Sequence, residues 1–220
     1  MILEDKDMDV NTLIKGYERF KEKKFKKYQN KFLDLVENGQ HPKVLFIACS
    51  DSRVNPSLIT SSQPGELFII RNVGNIVPPF APNSPYHSTA AGIEYAVSVL
   101  GVTDIIVCGH SHCGAVDGAY ENPNNPNLAH VRNWLQLLNG PKEYIKQNTP
   151  DTLTFSERLE LTEKVSVLFQ LENLLTYPEV KRKVNEGELF LRGWYYHINS
   201  CVLEYYNDEK KIFMPMESSS

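Results

Sequence analysis

The sequence predicts an α/β fold built on a mainly parallel central sheet flanked by helices. Three continuous apolar, β-rich runs carry that expectation: Val44 to Ala48, Leu67 to Arg71, and Asp104 to Cys108. Strands without polar alternation suit a sheet covered on both faces. A helical segment at about Ser88 to Leu100, between the second and third runs, supplies the crossover that parallel pairing needs.

From the N-terminus, Asn11 to Glu37 is helical in pattern, with Phe25, Tyr28, Phe32, Leu35 and Val36 recurring at a period of about 3.6. Lys21, Lys23, Lys24, Lys26 and Lys27 fill the other positions and read as a solvated helix face rather than a binding patch. Asn38-Gly39 stops this helix, and His41-Pro42 leads into the first strand. Further helices are expected at about Asn127 to Leu138, Phe155 to Leu175 and, after the Tyr177-Pro178 break, Glu179 to Asn185. Leu189 to His197, Cys201 to Tyr206 and Lys211 to Met214 close the chain as strands, with turns at Asn199 and Asn207-Asp208 that suggest hairpins. No internal repeat is evident, and the only low-complexity stretch is Ser218 to Ser220.

At 220 residues and 41% hydrophobic, the chain can bury a full core as one domain. A net charge of -4 provides no field for a polyanion, so neither nucleic acid nor an anionic membrane is expected as a partner. No run approaches the roughly 18 apolar residues of a membrane span. The acidic start MILEDKDMDV lacks the order of a signal peptide, which points to the cytoplasm. Four cysteines, Cys49, Cys108, Cys113 and Cys201, are too sparse for a disulfide framework and suit metal or catalytic use in a reducing compartment.

Two motifs fall at the C-terminal ends of predicted strands, where open α/β sheets bind ligands. "ACSDSRV" follows the first strand and "CGHSHCG" the third. Cys49, His110 and Cys113 make a set of two thiolates and one imidazole that suits zinc and leaves one tetrahedral position open, the mark of a catalytic site. His112 competes with His110, but its H-x-C spacing makes it harder to bring both groups to one ion. Cys113 would open the next helix, where free amides favour a thiolate, and Gly109 and Gly114 would let the backbone turn tightly around the metal. In extended geometry Asp51 and Arg53 share a side with Cys49. Pairing with Arg53 would keep Asp51 ionised, to accept a hydrogen bond from zinc-bound hydroxide or to fill the open position itself.

"CSDSRV", "PGELFIIRNVGNIV", "GIEYAV" and "GHSHCGA", in that order, resemble the β-class carbonic anhydrases over roughly Gln40 to Ala119, about a third of the chain. The resemblance implies one zinc per chain on Cys49, His110 and Cys113, an Asp51-Arg53 catalytic dyad, and reversible hydration of carbon dioxide to bicarbonate and a proton by attack of zinc-bound hydroxide. It implies a homodimer or dimer of dimers, with residues 1–39 as an N-terminal helical arm, 40–120 as the zinc-site core, and 121–220 as helices and a C-terminal antiparallel strand extension. In carbonic anhydrases with three histidine ligands, zinc lowers the pKa of bound water toward about 7, a value borrowed from that class. Two thiolates donate more charge and predict a higher value here.

Gln40, Phe68, Val73, Tyr86 and Gly114 match substrate-pocket positions of the plant-like branch, several of them reaching across the dimer interface. The bicarbonate-regulated branch is matched at Arg71 and around Tyr195, but it carries a tryptophan where Phe46 stands, so an open state with Asp51 paired to Arg53 is expected. His87 is a candidate proton shuttle by residue type, against a structural role at a loop-helix junction. Cys108 and Cys201 read as buried small apolar residues. His41, His130 and His197 have no partner at ligand spacing, and Trp194, Tyr195 and Tyr196 read as core and interface. Two alternatives carry the same ligand set: hydrolysis of carbonyl sulfide or carbon disulfide, and a redox- or zinc-sensing module. A nucleotide binder is disfavoured because no glycine-rich phosphate loop follows the first strand.

Overall fold

Val44–Cys49 (β1), Leu67–Asn72 (β2), Asp104–His110 (β3), Phe190–Tyr196 (β4), Leu203–Asn207 (β5) and Ile212–Pro215 (β6) form one sheet in the order β2-β1-β3-β4-β5-β6. β2, β1, β3 and β4 run parallel, and β5 and β6 add antiparallel to the β4 edge. The computed structural model describes residues 9–83, 87–121 and 125–216, and no helix among them is long and apolar enough to cross a membrane.

The chain divides into two compact units, Met1–Gln40 and His41–Ser220. In the first, α1 (Val10–Arg19) and α2 (Phe25–Glu37) are joined by a π-helical stretch, Phe20–Lys24. Asp9 caps its start by accepting the Thr12 amide at 2.7 Å. The Phe25 and Phe32 rings stack 5.6 Å apart, as their spacing along one helix face dictates.

The central strands β1 and β3 are buried on both sides, which explains their unbroken apolar runs, whereas β2 at the sheet edge leaves Ile69 and Arg71 exposed. Leu45, Ile47, Ile105 and Val107 face one cluster, which includes Ile93 and Val97 of the crossover and Val167 and Leu174 of the long helix described below. Phe46, Ala48, Ile106 and Cys108 face the other way, with Val54. Each such fully buried Leu, Ile or Phe side chain contributes about 1.5–3 kcal/mol.

The helices of this unit are α3 (Pro56–Ile59), α4 (Ser88–Glu94), α5 (Gly114–Glu121), α6 (Ala129–Leu135), α7 (Asn139–Asn148), α8 (Phe155–Leu174) and α9 (Pro178–Asn185). Past Glu94 the crossover continues as a π-helical stretch, Tyr95–Leu100, and stops at Gly101 in a left-handed conformation, φ 67°. α8 starts on a full capping box between Thr154 and Glu157. α3 and α7 were not expected from the sequence. The segment expected as one helix over 127–138 is instead α6 flanked by 3-10 turns, Pro126–Leu128 and Gln136–Leu138.

Cys201 corrects one expectation. It precedes β5 in the turn of the β4–β5 hairpin, at φ 58°, and is exposed. Cys108 is buried as expected, and burial pushes its thiol up to about 12. Maleimide labelling of the native protein followed by peptide mapping is expected to modify Cys201 and spare Cys108 until the chain is unfolded. Native-state modification of Cys108 would contradict this packing.

Candidate metal centre

The parallel register places Cys49, the last residue of β1, beside His110, the last of β3, because Ala48 pairs with Cys108. Beyond His110 the chain turns through His112 at φ 57° and delivers Cys113 to the start of α5. The donor atoms of Cys49, His110 and Cys113 lie within 4.8 Å of one another, and all three residues are buried. The His110 Nδ1–H donates to the Ser111 carbonyl at 2.9 Å, which leaves the Nε2 lone pair for a ligand. Nε2 is itself buried without a hydrogen-bond partner. His112, the competing histidine, is exposed. Two sulfurs and an orphaned imidazole nitrogen converging in this way fit a tetrahedral zinc ion with one position left over.

The sulfurs sit against an apolar shell that includes Ile76, Ala115, Val116 and Leu138. Cys49 Sγ accepts the backbone N–H groups of Asp51 at 3.4 Å and Gly74 at 3.3 Å. The adjacent Cys113 thiol, with His110 and the two amides, outweighs burial and pulls the Cys49 thiol well down. The same contact and burial push Cys113 well up, against the amides of Val116 and Ala115 that favour its thiolate. Binding a metal through both sulfurs therefore releases a proton.

Asp51 and Arg53 meet, but not through the extended chain the sequence suggested. Ser52 and Arg53 form a turn. Asp51 Oδ1 accepts the Arg53 backbone N–H and Nε–H, both at 2.9 Å, and Oδ2 accepts Nη2–H at 2.7 Å. These bonds from Arg53 hold the Asp51 carboxyl well below the usual carboxylate range. Arg53 Nη2 also donates to the His112 carbonyl at 3.0 Å, tying the pair to the metal loop. Arg71 donates to the carbonyls of Cys49 at 3.0 Å and Asp51 at 2.7 Å, so a second guanidinium fixes the same turn.

The glycines act differently from expectation. Gly109 lies in β3, where an added Cβ would come within 2.7 Å of Val167 Cγ2, so it admits α8 rather than a turn. Gly114 begins α5 with open space at its Cβ position. The glycine the site needs is Gly74, at φ 80°, whose Cβ would meet Ala115 Cβ at 2.8 Å while its amide reaches Cys49. Asn72 folds this loop by exchanging two 2.8 Å hydrogen bonds with the backbone of Ile76. Sequence reasoning also missed Glu163 of α8, whose Oε1 accepts the Cys113 N–H at 2.8 Å. Only the turn chemistry of "NVGN" could have flagged Gly74, and nothing local marks Glu163.

Of the expected substrate-pocket residues, Val73 follows β2 at the metal end of the sheet, and with Ser50, Asn72, His87 and Trp134 it lines a cavity of about 1040 Å³. Phe68 pairs with Leu45 at the opposite end of β2 within the same chain. Gln40 closes the first unit, and Tyr86 lies outside the described residues. His87 caps α4, its Nδ1 accepting the Ala90 N–H at 3.4 Å. His197 faces Glu204 at 3.3 Å.

Residues 44–203 match the family model described as carbonic anhydrase. A carbonic anhydrase of Helicobacter pylori (strain J99) is 37% identical over 207 residues, covering 93% of each chain. The solved structure of the β-carbonic anhydrase CcaA superposes with a TM-score of 0.88 at 38% identity, covering 95% of this chain and 92% of that one. A structure from work on two tetrameric β-carbonic anhydrases of the ascomycete Sordaria macrospora gives a TM-score of 0.74 at 29% identity, covering 89% of this chain and 95% of that one.

Proposed function

The chain belongs to the β-class carbonic anhydrases, and from that premise we propose that it hydrates carbon dioxide reversibly to bicarbonate and a proton at a zinc ion held by Cys49, His110 and Cys113. The observation that carries this reading is the pairing of Asp51 with Arg53, which engages both carboxylate oxygens of the acid that follows Cys49. Zinc in such a donor set supplies Lewis acidity, so that water ionises near neutral pH.

Every other step falls to the chain. Asp51, kept ionised by Arg53, accepts a hydrogen bond from the attacking water and orients its lone pair toward the substrate carbon. Arg53 and Arg71 hold Asp51 in place through its carboxylate and its backbone carbonyl. The apolar shell behind the sulfurs keeps bulk water from the donor atoms. Gln40, Phe68, Val73, Tyr86 and Gly114 are assigned to the substrate pocket on the family resemblance.

The plant-like branch is supported by Phe46. Its ring is fully buried, packs edge-on against Trp194 at 5.7 Å and offers no donor to an inhibitory anion. Assembly into dimers or higher oligomers is supported by the exposed apolar side chains of Val10, Leu13, Ile14 and Tyr17 on the N-terminal helix. Free thiols at the metal site suit a reducing compartment such as the cytoplasm.

The test is stopped-flow carbon dioxide hydration by zinc-quantified protein from about pH 6.5 to 9, the range in which metal-activated water titrates. The expected profile has turnover throughout and one rising limb, with no second limb from Asp51, whose carboxylate is already ionised there. Activity confined to the alkaline end would overturn the open state, and no activity at full zinc occupancy would overturn the assignment.

A further inference from the structure

Glu163 is a buried carboxylate to which the proposed chemistry assigns no role. It sits in the middle of α8, 5% exposed, among Thr162, Ser166 and Val167. Burying an ionised acid is costly unless its oxygens are satisfied. Both are: Oε1 by the Cys113 N–H at 2.8 Å, and Oε2 by the Tyr195 hydroxyl at 2.5 Å. Two donors on two oxygens are what the carboxylate form accepts, and such charge-assisted bonds are short and directional.

The approach of this acid to the metal loop is built into the backbone. Val167, one turn further along α8, contacts the space above Gly109 and Gly193, where added Cβ atoms would lie 2.7 Å from Cγ2 and 3.1 Å from Cγ1. Side chains at either glycine would lift the helix and withdraw Glu163 from Cys113. Tyr195, fully buried in β4, is held in turn by the Lys164 ammonium 4.9 Å above its ring and by the edge of His197 at 4.9 Å. A chain of contacts thus runs from the antiparallel extension through Tyr195 and Glu163 to a proposed metal ligand.

The segment so held needs holding. His112 is in the left-handed region without being glycine. Arg53 secures its carbonyl from one side at 3.0 Å, and Glu163 secures the next amide from the other. We propose that Glu163, braced by Tyr195, is a positioning residue for the metal site: its carboxylate fixes the Cys113 backbone and thereby the sulfur that must meet the ion. The inference rests on the reading of Cys49, His110 and Cys113 as metal ligands, and its test does not depend on carbon dioxide turnover.

The experiment measures zinc affinity of the full chain by competition with a chromophoric chelator, and the thiolate-to-metal charge-transfer band after substitution with cobalt(II). Glu163→Ala is expected to weaken zinc roughly 10- to 100-fold, the usual effect of losing an outer-shell partner, and to shift the cobalt band. Glu163→Gln keeps an oxygen for the Cys113 amide and is expected to restore most of the affinity, with Tyr195→Phe falling between. If Glu163→Ala does not fold, the other two variants decide. Variants that lose thermal stability but bind zinc within about twofold of the parent, with an unchanged cobalt band, would reduce Glu163 to a helix anchor. A glutamine variant no better than alanine would also overturn positioning by hydrogen bond. A parent chain that binds zinc without hydrating carbon dioxide would count against the proposed activity and leave this test intact.

Discussion

A Cys49→Ala chain is expected to fold, to hold no stoichiometric zinc, and to hydrate carbon dioxide no faster than buffer. The loss amounts to about 10⁶-fold or more, the low end of enzymatic enhancements. The substitution removes one of two thiolates from a set with no spare donor: His112 is exposed, and Asp51 is engaged by three bonds from Arg53. It leaves the sheet intact, because Cys49 ends β1 and belongs to the cluster beside the metal site, while β1 contributes Leu45, Phe46, Ile47 and Ala48 to the clusters on the two sheet faces. Far-UV circular dichroism, metal analysis and the hydration assay on one sample check all three parts. Retention of a full equivalent of zinc would show that Cys49 is not a ligand.

Asp51→Asn is expected to separate metal binding from turnover. Zinc content should stay at the parental level, since Asp51 is not in the donor set, while kcat falls by roughly 10²–10⁴, the contribution of a positioned proton-handling group. The amide presents a donor where an acceptor is needed and gives up the ion pair with Arg53. The deficit should persist across the neutral range. A carboxyl whose folded pKa is depressed below its ordinary value of about 3.9 adds stability that is present above that value and is lost only as pH falls through the lower folded one. The Arg53 bonds depress Asp51 in this way, so the parental pair is intact at every pH of the assay. A variant within threefold of the parent in kcat, at equal zinc, would remove Asp51 from the mechanism; that threshold is about 0.6 kcal/mol in barrier height.

The parallel core was legible because burial on both faces writes itself into sequence as unbroken apolar runs, and Val44–Cys49 and Asp104–His110 extend only slightly past the runs that announced them. The clustering of Cys49, His110 and Cys113 was legible because Cys49 and His110 end neighbouring strands and Cys113 follows three residues later, where topology decides who meets whom. What escaped reading depends on tertiary contact. α8 buries Thr162, Glu163, Ser166 and Gln170 alongside Val167 and Leu174, so polar and apolar residues do not separate along it, and nothing local tells Glu163 from a solvated glutamate. The Asp51–Arg53 pair was foreseen as chemistry but not as geometry, because a turn and an extended strand can bring the same two side chains together. Cys201 shows the converse limit: it was read as the buried start of a strand over Cys201 to Tyr206, and a hairpin turn left it outside.

The register of β1 on β3 also governs when in its folding the chain could acquire the proposed metal. Cys49 joins His110 and Cys113 only after the two strands have closed around everything between residues 50 and 103. Such non-local closure is the slow part of assembling a parallel sheet. Before it, an ion meets only the fragment made of His110 and Cys113, and no apolar shell. On the proposed zinc reading the ion would be a late guest of an already formed architecture, in contrast to small zinc domains whose folding the ion itself drives.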